Sequence, residues 1–129
     1  MLYRRLLPRA TGGWLLSGVI LMAACSSYFR PKAAQSLHCT ESQLQEESKS
    51  AYSSLVTGCG KSDVIVLDGS GHFISIRERA VFDLSCAEDA IEVTVIDPNL
   101  YGASGCNKKI AYKHFPGHGV IADTAQSTN

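Results

Sequence analysis

Residues 86–112 read CAEDAIEVTVIDPNLYGASGCNKKIAY, and this stretch decides the fold. From Ala90 to Asp97, apolar Ile91, Val93 and Val95 alternate with Glu92, Thr94 and Ile96, so only Ile96 interrupts the polar face. A period of two is the signature of a half-buried strand. Asp97-Pro98-Asn99 supplies turn chemistry, because Pro fixes φ while Asp and Asn tolerate tight turns. A returning strand follows from Tyr101 to about Phe115, with Ile110, Tyr112 and His114 on one face. The midpoint between Cys86 and Cys106 falls at the edge of the turn. A hairpin folding there sets the two cysteines nearly opposite each other. Opposed residues at a non-hydrogen-bonded site have Cα atoms about 4.5 Å apart, within reach of a disulfide.

The same spacing occurs earlier in the chain. Cys39 and Cys59 are also 20 residues apart, and a shift of 47 positions lays them on Cys86 and Cys106. The shift also matches Leu37 with Leu84, Glu41 with Glu88, Gly58 with Gly105 and Lys61 with Lys108, and it places Leu44 on Ile91. Two copies of one supersecondary unit, about 37–67 and 84–114, account for matches at both ends of each loop. The expected bridges are therefore Cys39–Cys59 and Cys86–Cys106. In the first copy, TESQLQEESKSAY (40–52) favours a degenerate hairpin turning near Lys49. A capped helix is the alternative, since Thr40 and Gln43 are placed for a capping box.

Between the copies, Val64–Leu67 and His72–Ile76 flank Asp68-Gly69-Ser70-Gly71, which reads as another hairpin. Arg77–Arg79 reads as a charged link and Val81–Leu84 as a further strand. The expected architecture is all-β, a small antiparallel meander of about five to seven strands built from two disulfide-stapled hairpin repeats, spanning 37–115. Residues 25–36 read as a polar tether and 116–129 as a flexible tail. A folded part this small gains little net stability from its core, and each bridge should contribute about 3 kcal/mol through the unfolded state.

The N-terminus explains the fifth cysteine. Arg4, Arg5 and Arg9 precede WLLSGVILMAA (14–24), which carries no charge and ends in small residues before Cys25. That is a secretory signal, since spanning a bilayer as a helix takes about 20 apolar residues. Met22-Ala23-Ala24-Cys25 resembles the lipobox of bacterial lipoproteins, with Met22 where Leu is commonest. The resemblance implies removal of 1–24, a diacylglyceryl thioether on Cys25 and acylation of the new amino group. Two or more acyl chains hold a protein firmly on a bilayer, making the membrane a partner through Cys25. Ser26, which is not Asp, implies sorting to the outer membrane. With Cys25 assigned to lipid, Cys39, Cys59, Cys86 and Cys106 remain, in a compartment where disulfides persist.

Cleavage also changes the charge. The sequence has 12 basic and 12 acidic residues, but three arginines leave with the signal, so the remaining chain is mildly acidic. That gives no electrostatic footprint for nucleic acid.

The second repeat resembles one found in a group of small bacterial lipoproteins and secreted proteins abundant in myxobacteria. Phe82–Cys86, Glu88, Ile91, Val93, Tyr101–Cys106 and Lys108–Tyr112 carry the likeness, and Thr57-Gly58-Cys59-Gly60-Lys61 repeats it in part. Asn107 stands where Gly is usual, and Lys113-His114 where a final cysteine is common. The resemblance implies envelope location and a stapled β fold, and transfers no catalytic residue.

Other motifs are incomplete. Gly58–Ser62 ends like a phosphate-binding loop, but Leu55 stands where the first glycine is required. Gly102-Ala103-Ser104-Gly105 is one residue short of a nucleophile elbow. Pro116-Gly117 breaks any helix that could set His114 and His118 on one metal, and no C-x₂₋₄-C pair marks a zinc site. Asp68–Gly71 lacks the ligands of a calcium loop. The expectation is a non-catalytic structural or interaction lipoprotein without cofactor or metal, with an envelope protein as a further partner. The alternatives are a small-ligand or metal binder using His114, His118 and the acidic edge Glu88, Asp89 and Glu92, or an envelope enzyme inhibitor presenting Asp97–Tyr101.

Overall fold

The computed structural model describes residues 28–123 and 126–127. Two short helices and nine strands are arranged as two antiparallel sheets. Helix α1 (Arg30–Leu37) precedes β1 (Gln45–Ser50), β2 (Ser53–Gly58), β3 (Lys61–Leu67) and β4 (Phe73–Ser75), which pair in that order. Helix α2 (Ile76–Asp83) precedes β5 (Glu92–Asp97), β6 (Leu100–Gly105), β7 (Lys108–Phe115) and β8 (Gly119–Ala122), again paired in order. The two-residue β9 (Gln126–Ser127) pairs with β7.

The 47-residue offset runs through the backbone. Gln45 faces Thr57 as Glu92 faces Ser104, and Ser53 faces Val66 as Leu100 faces Lys113. A bulge interrupts β1 at Ser48/Ser50 and β5 at the equivalent Val95/Asp97. Each helix gives way to a left-handed residue, His38 at φ 50° or Ser85 at φ 48°, then a cysteine and a 3-10 turn (Glu41–Gln43 or Glu88–Ala90). The capping box of Thr40 and Gln43 forms, and it closes the 3-10 turn ahead of the β1–β2 hairpin.

Four expectations are corrected. Residues 30–36, read as tether, form α1 together with Leu37, and Ala33, Ser36 and Leu37 are buried. Pro31 in the first turn is preorganised for a helix and loses no hydrogen bond there. Arg77–Arg79, read as a link, and Val81–Asp83, read as strand, lie with Ile76 in α2, because Ser75 caps the helix by accepting from the Glu78 N–H at 3.1 Å. The fold is therefore mostly β and not all-β, with nine strands among the described residues in place of five to seven. Within the supposed tail, Gly119–Ala122 adds β8, with Val120 buried.

The core repeats too. Ala33, Leu37, Cys39, Leu44, Val56 and Ile65 gather where α1 covers the inner face of the first sheet. Their equivalents Ala80, Leu84, Cys86, Ile91, Ala103 and Tyr112 gather with α2 on the second. The second cluster also takes in Val64 and Val66, with Leu55 and Ile74 packed against it, from the outer face of the first sheet. Hence Val64-Ile65-Val66 is a continuous apolar run: β3 is buried on both faces. Where the sheets meet, Ser62 Oγ donates to Val93 O at 3.2 Å.

Candidate functional site

Disulfides join Cys39 to Cys59 and Cys86 to Cys106, with Cα atoms 6.0 and 5.7 Å apart. They do not cross a hairpin between opposed strand positions, as the spacing predicts. The expected strand from Tyr101 to Phe115 is split by a turn at Cys106-Asn107, as Cys59-Gly60 separates β2 from β3. Each bridge pins such a turn to the start of its 3-10 turn. All four turn residues have positive φ (53°, 74°, 51° and 61°), and Asn107 adopts the left-handed conformation that Gly60 takes in the first unit. The bridges mark an extracytoplasmic protein. Cys25 lies outside the described residues.

Of the side chains singled out in the sequence, Asp89 and Glu92 line one cavity of about 490 Å³ with Lys61 and Arg77, and the histidines lie elsewhere. His114 is 2 % exposed, its ring 6.2 Å from that of Tyr101, and burial pushes its pKa down toward the neutral imidazole. His118 lies in the exposed β7–β8 turn. Glu88 pairs with His38 at 2.8 Å and Asp89 with Lys61 at 3.0 Å, while Glu92 projects from the exposed side of β5. Among the described residues no three His, Cys, Asp or Glu side chains could hold a metal ion together. In the Asp97–Tyr101 loop, Tyr101 is buried and its hydroxyl donates to Pro98 O at 2.8 Å. Asp68 closes its own turn, its carboxylate accepting from the N–H groups of Ser70 and His72, which hold its pKa below the usual range. No helix among the described residues is long and apolar enough to cross a membrane.

Two polar groups escaped sequence reading. Asp63 stands in β3 directly before the apolar run Val64–Leu67 and is fully buried. Its carboxylate accepts from Ser36 Oγ of α1 at 2.6 Å, from Ser75 Oγ, and from the Arg77 N–H at the start of α2 at 2.9 Å. Burial raises its pKa from 3.8 to about 6 against the lowering effect of these donors. Arg77, 3 % exposed, fastens the units together: its guanidinium donates to Ser62 O at 3.2 Å and Glu88 O at 2.7 Å. A single aspartate inside an apolar strand was the available signal for the first. Both groups join elements of the fold, and Arg77 also lines the cavity that holds Asp89 and Glu92.

The outer face of the second sheet is also open. A groove of about 390 Å³ there is lined by Thr94, Ile96, Gly102, Lys109, Ala111 and Asp123, among others. Ile96 is 56 % and Ile121 60 % exposed on this face. The 47-residue offset sends Leu55, Val64, Val66 and Ile74, which pack against the second unit, to Gly102, Ala111, Lys113 and Ile121, which have no such unit against them among the described residues.

The chain is mostly β, two like units each made of a short helix and an antiparallel sheet and pinned by one disulfide. No family model, curated protein or solved structure matches the chain.

Proposed function

We propose that this chain is a bacterial lipoprotein, held through lipid on Cys25 at the outer membrane, whose folded part is a non-catalytic interaction domain. The observation that carries the interaction reading is the outer face of the second sheet, where Ile96 and Ile121 stand exposed. The two isoleucines stand on the opposite edge strands β5 and β8, and exposed large aliphatic side chains on an open sheet face support a contact surface. The signal segment, the Met22–Cys25 junction and the two disulfides support the location. Two measurements test it. Mass spectrometry of the chain extracted from membranes should find Cys25 at the mature N-terminus bearing diacylglycerol, and Cys25→Ser should release or strand the protein. An unmodified Cys25, or cleavage elsewhere, would contradict the anchor. A photo-cross-linker at position 121 of the anchored chain should give adducts in the envelope that one at Glu47, exposed on β1, does not. Equal silence at both positions would contradict the interaction reading.

A further inference from the structure

We propose that the cavity where the two units meet binds a small zwitterion of the amino-acid or dipeptide class, its carboxylate on Arg77 and its ammonium group on Glu92. The site is separate from the outer face of the second sheet and goes beyond the interaction reading. From the first unit, the end of β2 and the turn into β3 supply Thr57, Gly60 and Lys61. From the second, α2 supplies Arg77, and the 3-10 turn with the start of β5 supplies Asp89 and Glu92, around a space of about 490 Å³.

Arg77 is a buried charge without a counter-charge. It is 3 % exposed, and its guanidinium donates only to carbonyl oxygens, from Nε to Ser62 at 3.2 Å and from Nη1 to Glu88 at 2.7 Å. Asp89, whose pKa is lowered first by Lys61 and least by Arg77, is already held by that lysine at 3.0 Å. Buried charges are ordinarily paired, because their desolvation otherwise goes uncompensated. Nη2 has no hydrogen-bond partner among the described residues. It is nevertheless not enclosed by protein, as the unpartnered Glu88 Oε1 and His114 Nε2 are, so its N–H groups open on the cavity that Arg77 lines.

The repeat identifies what is missing. The equivalent of Arg77 in the first unit is Arg30, which donates from Nη1 to Glu41 O at 3.2 Å, the counterpart of Glu88 O. Arg30 also has a carboxylate, Glu46, 3.6 Å from its Nε. The position of Glu46 is taken by Val93, which is buried in the shared core. The second unit thus keeps the arginine, buries it more deeply and drops its carboxylate. Only the cavity side remains open to supply one, and a bound carboxylate would restore a charge-assisted pair.

The opposite wall selects among anions. Glu92 makes no ion pair or hydrogen bond among the described residues, and Asp89 stands near it. A multiply charged anion such as a phosphate is opposed by these two carboxylates, although Gly58–Ser62 on the same wall ends like a phosphate loop. A ligand carrying one charge of each sign answers both Arg77 and Glu92. Amino acids and short peptides carry those two groups in one small molecule, and cavities of about 300–1,000 Å³ are the usual size for small ligands.

Isothermal titration of the full chain, in detergent where lipidated, tests this with glycine, glycylglycine, acetate and ethylamine as probes. Glycine or glycylglycine should bind and shift the Arg77 side-chain resonance in nitrogen-15 NMR, and acetate and ethylamine should each bind about tenfold more weakly. Whichever zwitterion binds more tightly tells a free amino acid from a peptide. Because Arg77 also joins the units, the substitution is made at exposed Glu92. Glu92→Gln should weaken the zwitterion about tenfold and leave acetate binding no weaker. No binding of either zwitterion at about 10 mM would overturn the proposal. So would acetate binding as tightly as both, an Arg77 resonance that stays in place on binding, or zwitterion binding indifferent to Glu92→Gln.

Discussion

Gly58 and Gly105 show how the same local demand was met twice. A methyl group on Gly58 would lie 2.7 Å from Leu44 Cδ2, 3.0 Å from Gln43 O and 3.3 Å from Cys39 Sγ. On Gly105 it would meet the equivalents Ile91 Cδ1 at 3.1 Å, Ala90 O at 2.6 Å and Cys86 Sγ at 3.0 Å. The 3-10 turn and the disulfide lie directly on these glycines, so backbone would have to move to admit a side chain. Gly58→Ala and Gly105→Ala should each cost about 1–3 kcal/mol in urea unfolding, the usual range for overpacking. Matching costs are expected because the surroundings match. Asp63 is the residue whose effect depends on pH. Its folded pKa is raised from 3.8 to about 6, so the folded state holds the proton more tightly than the unfolded chain. Stability from this group is complete below pH 4 and lost as pH rises toward 6, on the order of 3 kcal/mol in all. Asp63→Asn removes that loss. Its stability relative to wild type should climb between pH 4 and 6 and then level off, and a constant difference would show that Asp63 does not titrate in that window.

At the scale of elements, what could be read from the chain followed periodicity, and what could not followed length. The strand β5 alternates cleanly, its turn carries Pro98-Asn99, and the cysteine offset marks the repeat. Eight-residue helices offer too few turns for a periodic signal, and both were read as something else. Their caps were visible: Pro31 in the first turn of α1, and Ser75 three residues before Glu78 at α2. The tandem packing was hidden for another reason. The face that β3 turns to the second unit is buried only because that unit is there, and a strand covered on both sides looks like any apolar run. The groups joining the units, Arg77 and Asp63, bond largely to backbone or serine and leave no charge pattern to recognise. Each bridge ties a turn to a 3-10 turn across 20 residues, so the two should matter about equally. Replacing both cysteines of either pair by serine should lower the unfolding free energy by about 2–5 kcal/mol, measured by denaturant titration. A tenfold larger shift in midpoint for one pair than for the other would show that the units are not mechanically equivalent.

For the whole molecule, the order is α1, first sheet, α2, second sheet, with α2 packed in the cluster that both sheets share. That cluster ties the units into one cooperative body, and a single thermal transition is expected of it. The asymmetry between the ends follows from sequence differences at equivalent positions. The first unit carries Glu46, Ser48 and Ser54 where the second carries Val93, Val95 and Tyr101, while the outer face of the second sheet keeps Ile96 and Ile121 exposed. Two like units are stacked so that the outer face of the first sheet is sealed and that of the second is open. Val64 and Ala111 are the equivalent residues of those faces, and placing lysine at each, one variant at a time, tests the claim most directly. At concentrations too low for association, Val64→Lys should cost about 3–5 kcal/mol or prevent folding, as an unpaired buried charge does, while Ala111→Lys stays within about 0.5 kcal/mol of wild type. Equal losses from the two substitutions in thermal unfolding would contradict the account.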